Sequence, residues 1–297
     1  MTANRMHEGE ADIDGELVRR LLTSQFPQWA ELPVVQVRST GTVNAIYRLG
    51  EDRCVRLPRV QTWVGDLAKE LQWLPVLAPH LPLAVPEPLA TGAAAFGYRF
   101  PWAIYRWLDG ETFDRDRVRD EREAARALAD FVAELRRIDP AGAPRSGRDR
   151  PLRTRDPETR AVIESLRGTL DADGVTAAWE SSLRASAWDG RRVWTHGDLL
   201  PPNLLVRDGR LRAVIDFGNV GVGDPAVDVI AAWSVLGDAG RDVFRAALDV
   251  DDATWARSRG LALHQALMII PYYVETNPTF VAMAMRTVSE VLAEFRG

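Results

Sequence analysis

The apolar positions change their period along the chain. Up to about residue 107 they fall mostly in short strand-like runs, and beyond it they recur mostly at helical spacing. Leu17, Leu21 and Leu22 share one face of a stretch that predicts a helix over 12–30, ended by Pro27. Strand-like runs follow at Val34–Val37, Ala45–Leu49 and Cys54–Leu57, and the turn Gly50-Glu51-Asp52 makes the last two a hairpin. Leu67, Leu71 and Leu74 form the stripe of a further helix. A proline-punctuated segment from Pro75 to Pro88 then leads into strands around Ala90 and over Trp102–Trp107. From there the pattern turns helical. Leu128, Phe131, Val132 and Leu135 repeat at helical spacing within 114–138, residues 141–158 are rich in Gly, Pro and Arg and read as an exposed loop, and helices return over 158–187. Two short strands, Asn203–Val206 and Leu211–Ile215, are joined by the turn Asp208-Gly209, and the remainder reads as helical to the end. Strands first and helices afterwards predict an α+β chain of two lobes. An N-terminal antiparallel sheet lobe covers 1–107 and a mostly helical lobe covers 108–297.

Composition narrows the classes of function. A chain of 297 residues buries a sizeable core, and its net charge of −5 excludes a general nucleic-acid binder, which needs a basic excess. Cys54 is the single cysteine, so neither an internal disulfide nor a cysteine-rich metal site is available. Its neighbours Val55 and Leu57 place it in a strand as a buried thiol. Glu8, Glu10, Asp12 and Asp14 precede any apolar run, unlike a signal peptide. The longest apolar stretch, Ala266 to Val274, contains Pro271 and is too short to span a membrane. The expectation is a cytoplasmic protein with neither nucleic acid nor membrane as partner. Lys69 is the only lysine, so any site that would ordinarily use lysine must be built with arginine.

The chemistry concentrates in Trp194-Thr195-His196-Gly197-Asp198-Leu199-Leu200-Pro201-Pro202-Asn203, followed after a strand, a turn and a strand by Asp216-Phe217-Gly218. Transfer of a γ-phosphoryl group needs a base facing the attacking hydroxyl and hard oxygen ligands holding a divalent cation on the phosphates, with positioning and electrostatics supplying most of the rest. Asp198 suits the base, and Asn203 and Asp216 suit Mg²⁺. Each residue alone would pass as a cap or a turn. It is the ordered set that points to phosphoryl transfer.

This set resembles the catalytic and metal loops of the aminoglycoside phosphotransferase family, which shares the protein-kinase-like fold. The similarity extends to Gly223-Asp224-Pro225-Ala226-Val227-Asp228 and covers most of the chain from Ser39 onward. The resemblance implies a small-molecule kinase using ATP or GTP with Mg²⁺, in which His196 and Asp228 support the catalytic loop. It further implies that Ser39, Thr40, Gly41, Thr42 and Asn44 lie in the phosphate-covering loop. Arg56, in the family variant Arg-x-Pro, would contact the phosphates and pair with Glu70. The connector Tyr105 to Glu111 would bond the purine through backbone groups of Arg106 and Leu108. Tyr105 would line the back of the base pocket and favour GTP.

For the acceptor, the resemblance directs attention to the segment around Tyr272, Tyr273 and Glu275, where apolar and aromatic residues outnumber acids and only Glu275, Asp238 and Asp242 add negative charge. That balance fits a partly apolar hydroxyl compound such as a macrolide better than a polycationic aminoglycoside. An antibiotic O-phosphotransferase, hence a resistance enzyme, is the leading expectation. The alternatives are a kinase of a metabolite such as choline, a sugar or an amino-acid alcohol, and a non-catalytic nucleotide-binding pseudokinase. A protein kinase is disfavoured, because only seven residues separate Asp216 from Asp224 and no Ala-Pro-Glu follows.

Overall fold

The computed structural model describes residues 10–37 and 43–296. They form two compact units: one gathers the chain up to Pro79 with 84–109 and 214–218, and the other gathers 80–83, 110–213 and 219 onward. The α+β expectation is met, with an antiparallel sheet in the first unit and a mostly helical second unit.

In the first unit, helix α1 (Gly15–Gln25) begins at Asp14, whose carboxylate accepts the Leu17 N–H at 2.8 Å and satisfies one of the first-turn donors. The helix stops at Gln25, short of the expected 30. Pro27 has no N–H to continue the ladder and opens a single tight turn, Pro27–Trp29. Five strands follow: β1 (Val34–Gln36), β2 (Asn44–Leu49), β3 (Arg53–Pro58), β4 (Pro88–Gly92) and β5 (Trp102–Arg106). They are ordered β1-β2-β3-β5-β4 and every pairing is antiparallel. The predicted hairpin is β2–β3, with Asn44 opposite Pro58 and Leu49 opposite Arg53. Helix α2 (Val64–Leu77), between β3 and β4, buries Leu67, Leu74 and Leu77. Leu71 of the expected stripe is only half-buried, whereas Glu70 takes an inward position. Val18, Leu21 and Leu22 of α1 pack in one core with Tyr47, Val55, Leu57, Trp102 and Ile104 of the sheet. Cys54 is buried as expected, and burial pushes its thiol up to about 11, which leaves it protonated and unreactive at neutral pH.

The second unit contains β6 (Glu111–Thr112), α3 (Glu121–Arg137), α4 (Asp156–Ser165), α5 (Ala172–Leu183), β7 (Val193–Thr195), β8 (Leu204–Arg207), β9 (Arg210–Val214), β10 (Gly221–Gly223), α6 (Ala226–Val229), α7 (Ala231–Ser234), α8 (Asp238–Ala247), α9 (Asp252–Tyr273) and α10 (Pro278–Arg296). Helix α3 starts at Glu121 and not at 114, because Asp120 caps it by accepting the Arg122 and Glu123 N–H groups. The stretch 141–158 is more ordered than a plain loop. Buried Arg155 donates to the carbonyls of Arg148 and Arg150, Ser146 donates to the carbonyl of Asn219, and α4 already begins at Asp156. The final third is not helical throughout, since β10 pairs antiparallel with β7. Helix α9 continues through Pro271 near its end and packs along α10, α5 and α6, while Trp179, Trp194 and Trp233 are fully buried. Among the described residues no helix is long and apolar enough to cross a membrane.

Candidate active site

In the first unit, two of the expected residues, Arg56 and Tyr105, meet at Glu70, which is 1% exposed. Its Oε2 accepts from Arg56 Nη1 at 2.8 Å and from the Tyr105 hydroxyl at 3.0 Å, and its Oε1 accepts the Phe217 N–H at 2.7 Å. Burial opposes the Arg56 charge, but Glu70, with Tyr105 and Asp216 adding to it, more than offsets the burial, so the guanidinium is held charged more firmly than in water. Burial, and then the same carboxylate, push the Tyr105 phenol well above its ordinary value and keep it a donor. Arg56 also lies over the Tyr105 ring, 5.1 Å from its centroid, and its Nη2 is 4.0 Å from Asp216 Oδ1. The Asp-Phe-Gly segment is clasped from α2 twice, by Glu70 and by Lys69, whose Nζ donates to the Gly218 carbonyl at 2.7 Å. The only lysine of the sequence therefore holds backbone. Asp216 adopts φ +68°, a left-handed conformation uncommon for a residue with a side chain and one that clusters at functional sites.

The connector shows a division of labour. The Arg106 N–H is used by the Glu87 carbonyl and the Trp107 N–H by the Asp52 carbonyl. Ser39, Thr40, Gly41 and Thr42 lie outside the described residues, and Asn44 opens β2.

In the second unit the loop that carries Asp198 is held from behind. Fully buried Asp228 accepts the His196 N–H through Oδ2 and the Gly197 N–H through Oδ1, each at 2.9 Å. His196 is also fully buried, and its Nδ1 accepts the Asp198 N–H at 3.2 Å. Its surroundings give it no access to a substrate proton. Gly197 has φ +87°, and a Cβ there would stand 2.9 Å from Asn219 atoms, so only glycine fits the turn.

Asp198 presents an ordered carboxylate. Oδ1 accepts from Gln265 Nε2 at 2.9 Å and from Arg148 Nη2 at 3.3 Å, while Oδ2 accepts from Asn203 Nδ2 at 3.1 Å. Asn203 Nδ2 also reaches the Asp198 carbonyl at 2.9 Å. The amide nitrogen of Asn203 is thus spent on the loop, and the group it has left for a cation is its oxygen. An amide oxygen and the partly exposed Asp216 carboxylate are hard donors of the kind Mg²⁺ takes alongside phosphate and water. Among the described residues no group of three or more His, Cys, Asp or Glu is placed to hold a metal, so a site built from protein side chains alone is not present there.

Gln265 and Arg148 were not picked out by the sequence motifs. Gln265 is a lone amide in the apolar run of α9, and Arg148 sits in the arginine-rich stretch. Of the expected acceptor residues, Tyr272 is 60% exposed at the end of α9, Tyr273 packs against it and against Phe280, and Glu275 is exposed. Beside Gln265 a narrow crevice is lined by Leu200, Ser234, Ile269, Met283 and Thr287, none of them charged.

The sequence model of the phosphotransferase enzyme family, APH, matches residues 34–261. The uncharacterized protein YcbJ of Bacillus subtilis (strain 168) is 26% identical over 163 residues, 54% of this chain and 51% of that protein, so the chain spans about half the length of this curated relative. The GDP complex of wild-type aminoglycoside 2′-phosphotransferase-IIIa superposes with a TM-score of 0.74 at 20% identity, covering 95% of this chain and 100% of that one. Apo macrolide 2′-phosphotransferase MphH from Brachybacterium faecium superposes with a TM-score of 0.61 at 22% identity, covering 93% and 97%. At these identities the likeness to both structures is one of fold.

Proposed function

Because the chain belongs to the phosphotransferase enzyme family, we propose that it is a phosphotransferase that moves the γ-phosphate of ATP or GTP to a hydroxyl of a small molecule, with Asp198 as the base. The observation that carries this reading is the saturation of one Asp198 oxygen. A carboxylate offers about four lone-pair sites. Gln265 and Arg148 fill those on Oδ1, and Asn203 takes one on Oδ2. The site left on Oδ2 receives the acceptor proton. The hydroxyl oxygen attacks the γ-phosphorus, its proton passes to Oδ2, and the bond to the β-phosphate oxygen breaks to release the nucleoside diphosphate.

Asn203 and Asp216 would hold Mg²⁺, which supplies charge neutralisation on the phosphates when bound. Arg56, kept charged and oriented by Glu70, serves the α- and β-phosphates. The Arg106 carbonyl and Leu108 N–H bond the base, with Tyr105 behind it favouring GTP. His196 and Asp228 keep the loop in register. All three residues required for turnover, Asp198, Asn203 and Asp216, are present, which speaks against a pseudokinase. The donors are intracellular molecules, so the reaction belongs in the cytoplasm.

The acceptor side favours a partly apolar antibiotic of macrolide type over an aminoglycoside. The crevice beside Gln265 carries no charge, Tyr272 is exposed, and Tyr273 and Glu275 stand next to it. Asp198→Asn tests the whole reading. Phosphate transfer over a panel of aminoglycosides, macrolides and small alcohols falls about 10³-fold or more, while Mg–GDP affinity changes less than about threefold. Turnover equal to wild type in Asp198→Asn refutes the assignment.

A further inference from the structure

The arginines from Arg145 to Arg155 have no part in the motif that carries the chemistry. Five of them fall in those eleven residues against one acid, Asp149, in a chain whose net charge is −5. The segment is fixed in place by the Arg155 bonds to the carbonyls of Arg148 and Arg150 and by Ser146 on Asn219. Its charge reaches α9: burial and then Arg155, Arg150 and Arg148 hold the His264 imidazole down at about 3.

Arg148 is where this array meets Asp198. Its side chain is 43% exposed, its Nε has no hydrogen-bond partner, and one N–H of a possible five bonds the Asp198 carboxylate. The α9 stretch that supplies Gln265 offers no counterbalance, since residues 253–274 contain no acid. Glu290 and Glu294 of α10 are tied to Arg241 and Arg259.

We propose that Arg148 is a specificity-determining residue that sets the charge of the acceptor: its guanidinium donates to the oxygens of an uncharged or singly charged hydroxyl compound and turns polycationic acceptors away. The inference rests on Asp198 being the base. A reacting hydroxyl within about 3 Å of Oδ2 brings the rest of a small acceptor within one Debye length, about 8–10 Å, of the guanidinium. An isolated carboxylate would draw ammonium groups to that point. Here its charge is cancelled by Arg148; Arg145 and Arg150 pair with Asp149 and Glu158, and Arg153 and Arg155 tip the balance to positive.

The test is calorimetric binding of kanamycin, the polycationic probe, to the full chain with Mg–GDP present. Wild type, Arg148→Gln and Arg148→Glu are compared at low and physiological salt, with circular dichroism confirming that each is folded. Affinity is expected to rise from wild type through Gln to Glu, by about tenfold or more at the last step, with the gain shrinking as salt is raised. If Arg148→Glu does not fold, the Gln variant carries the comparison with a smaller gain. Equal kanamycin affinity in the folded forms, or tightest binding by wild type, overturns the proposal. Binding is read without turnover, so a failure of the base assignment shows separately, as undiminished transfer by Asp198→Asn.

Discussion

Removing the Glu70 carboxylate leaves the first unit with three unmatched groups. In Glu70→Ala the Arg56 guanidinium, 13% exposed, loses its partner, and the Tyr105 hydroxyl and the Phe217 N–H lose their acceptor. Breaking a buried ion pair from one side costs about 3–5 kcal/mol, and an orphaned buried N–H adds about 1–3 kcal/mol. Water entering the space returns part of this, so the expected net loss is about 4–6 kcal/mol, against a total stability for a typical domain of about 5–15 kcal/mol. Glu70→Gln keeps one acceptor oxygen and should lose roughly half as much. The paired replacement Arg56→Met with Glu70→Leu removes both charges together and should recover most of the loss, because apolar residues of similar volume often match a buried ion pair in stability. Urea unfolding monitored by fluorescence, with Mg–GTP affinity measured on the same samples, separates the two roles. The double variant should be nearly as stable as wild type and still bind nucleotide weakly, since the charge for the phosphates is gone. A loss below about 1 kcal/mol in Glu70→Ala, or a double variant no more stable than the worse single one, refutes the view that Glu70 exists to hold a charged Arg56.

Further outcomes follow from the same geometry. Gly197→Ala should lose about 1–3 kcal/mol by urea unfolding and most of its turnover, because the residue must hold φ +87° with Asn219 atoms 2.9 Å from its new Cβ. Tyr105→Phe removes the hydroxyl bond to Glu70 but keeps the ring. It should cost about 1 kcal/mol and leave the ATP-to-GTP turnover ratio unchanged. Tyr105→Ala, by contrast, should raise relative use of ATP, and equal use of both donors by wild type removes that idea. His264 stays neutral down to about 3 in the folded chain, with Thr159 on Nδ1 and the Glu158 carboxylate 3.6 Å from Nε2. The unfolded chain takes up that proton near 6.5, so stability falls as pH drops through the window from about 6.5 to 3. Between pH 7 and pH 5 wild type should lose about 2 kcal/mol more than His264→Gln, and parallel pH curves for the two proteins would refute the assignment.

The contacts around Asp198 and Glu70 were partly legible in the sequence because they are short in sequence or lie within regular elements. Asn203 reaches Asp198 five residues away within one loop. The hairpin β2–β3 places Arg56 by simple alternation, and one helical stripe places Glu70. What escaped was of two kinds. The paired strands β7 and β10 have three residues each, too few to show a period, and the early end of α1 was set by where the proline could be accommodated. The other kind matters more for function. Gln265 lies 67 residues from Asp198 and Arg148 lies 50 residues from it. Helix α9 is buried around most of its circumference, so its apolar run carries no face that would mark Gln265 as special. Arg148 is one arginine among five in a stretch with no period at all. Asp198, Asn203, Asp216 and Asp228 lie within one continuous stretch of chain, whereas Gln265 and Arg148, which crowd the Asp198 carboxylate, arrive from segments before and after it. Contacts encoded locally can be read from a motif, but which side chains reach Asp198 Oδ1, and with them the acceptor choice proposed above, depends on tertiary packing. That is why Arg148 and Gln265 emerge only with the coordinates, and why variants at Arg148, rather than in the motif, are the ones expected to change what is phosphorylated without abolishing phosphorylation.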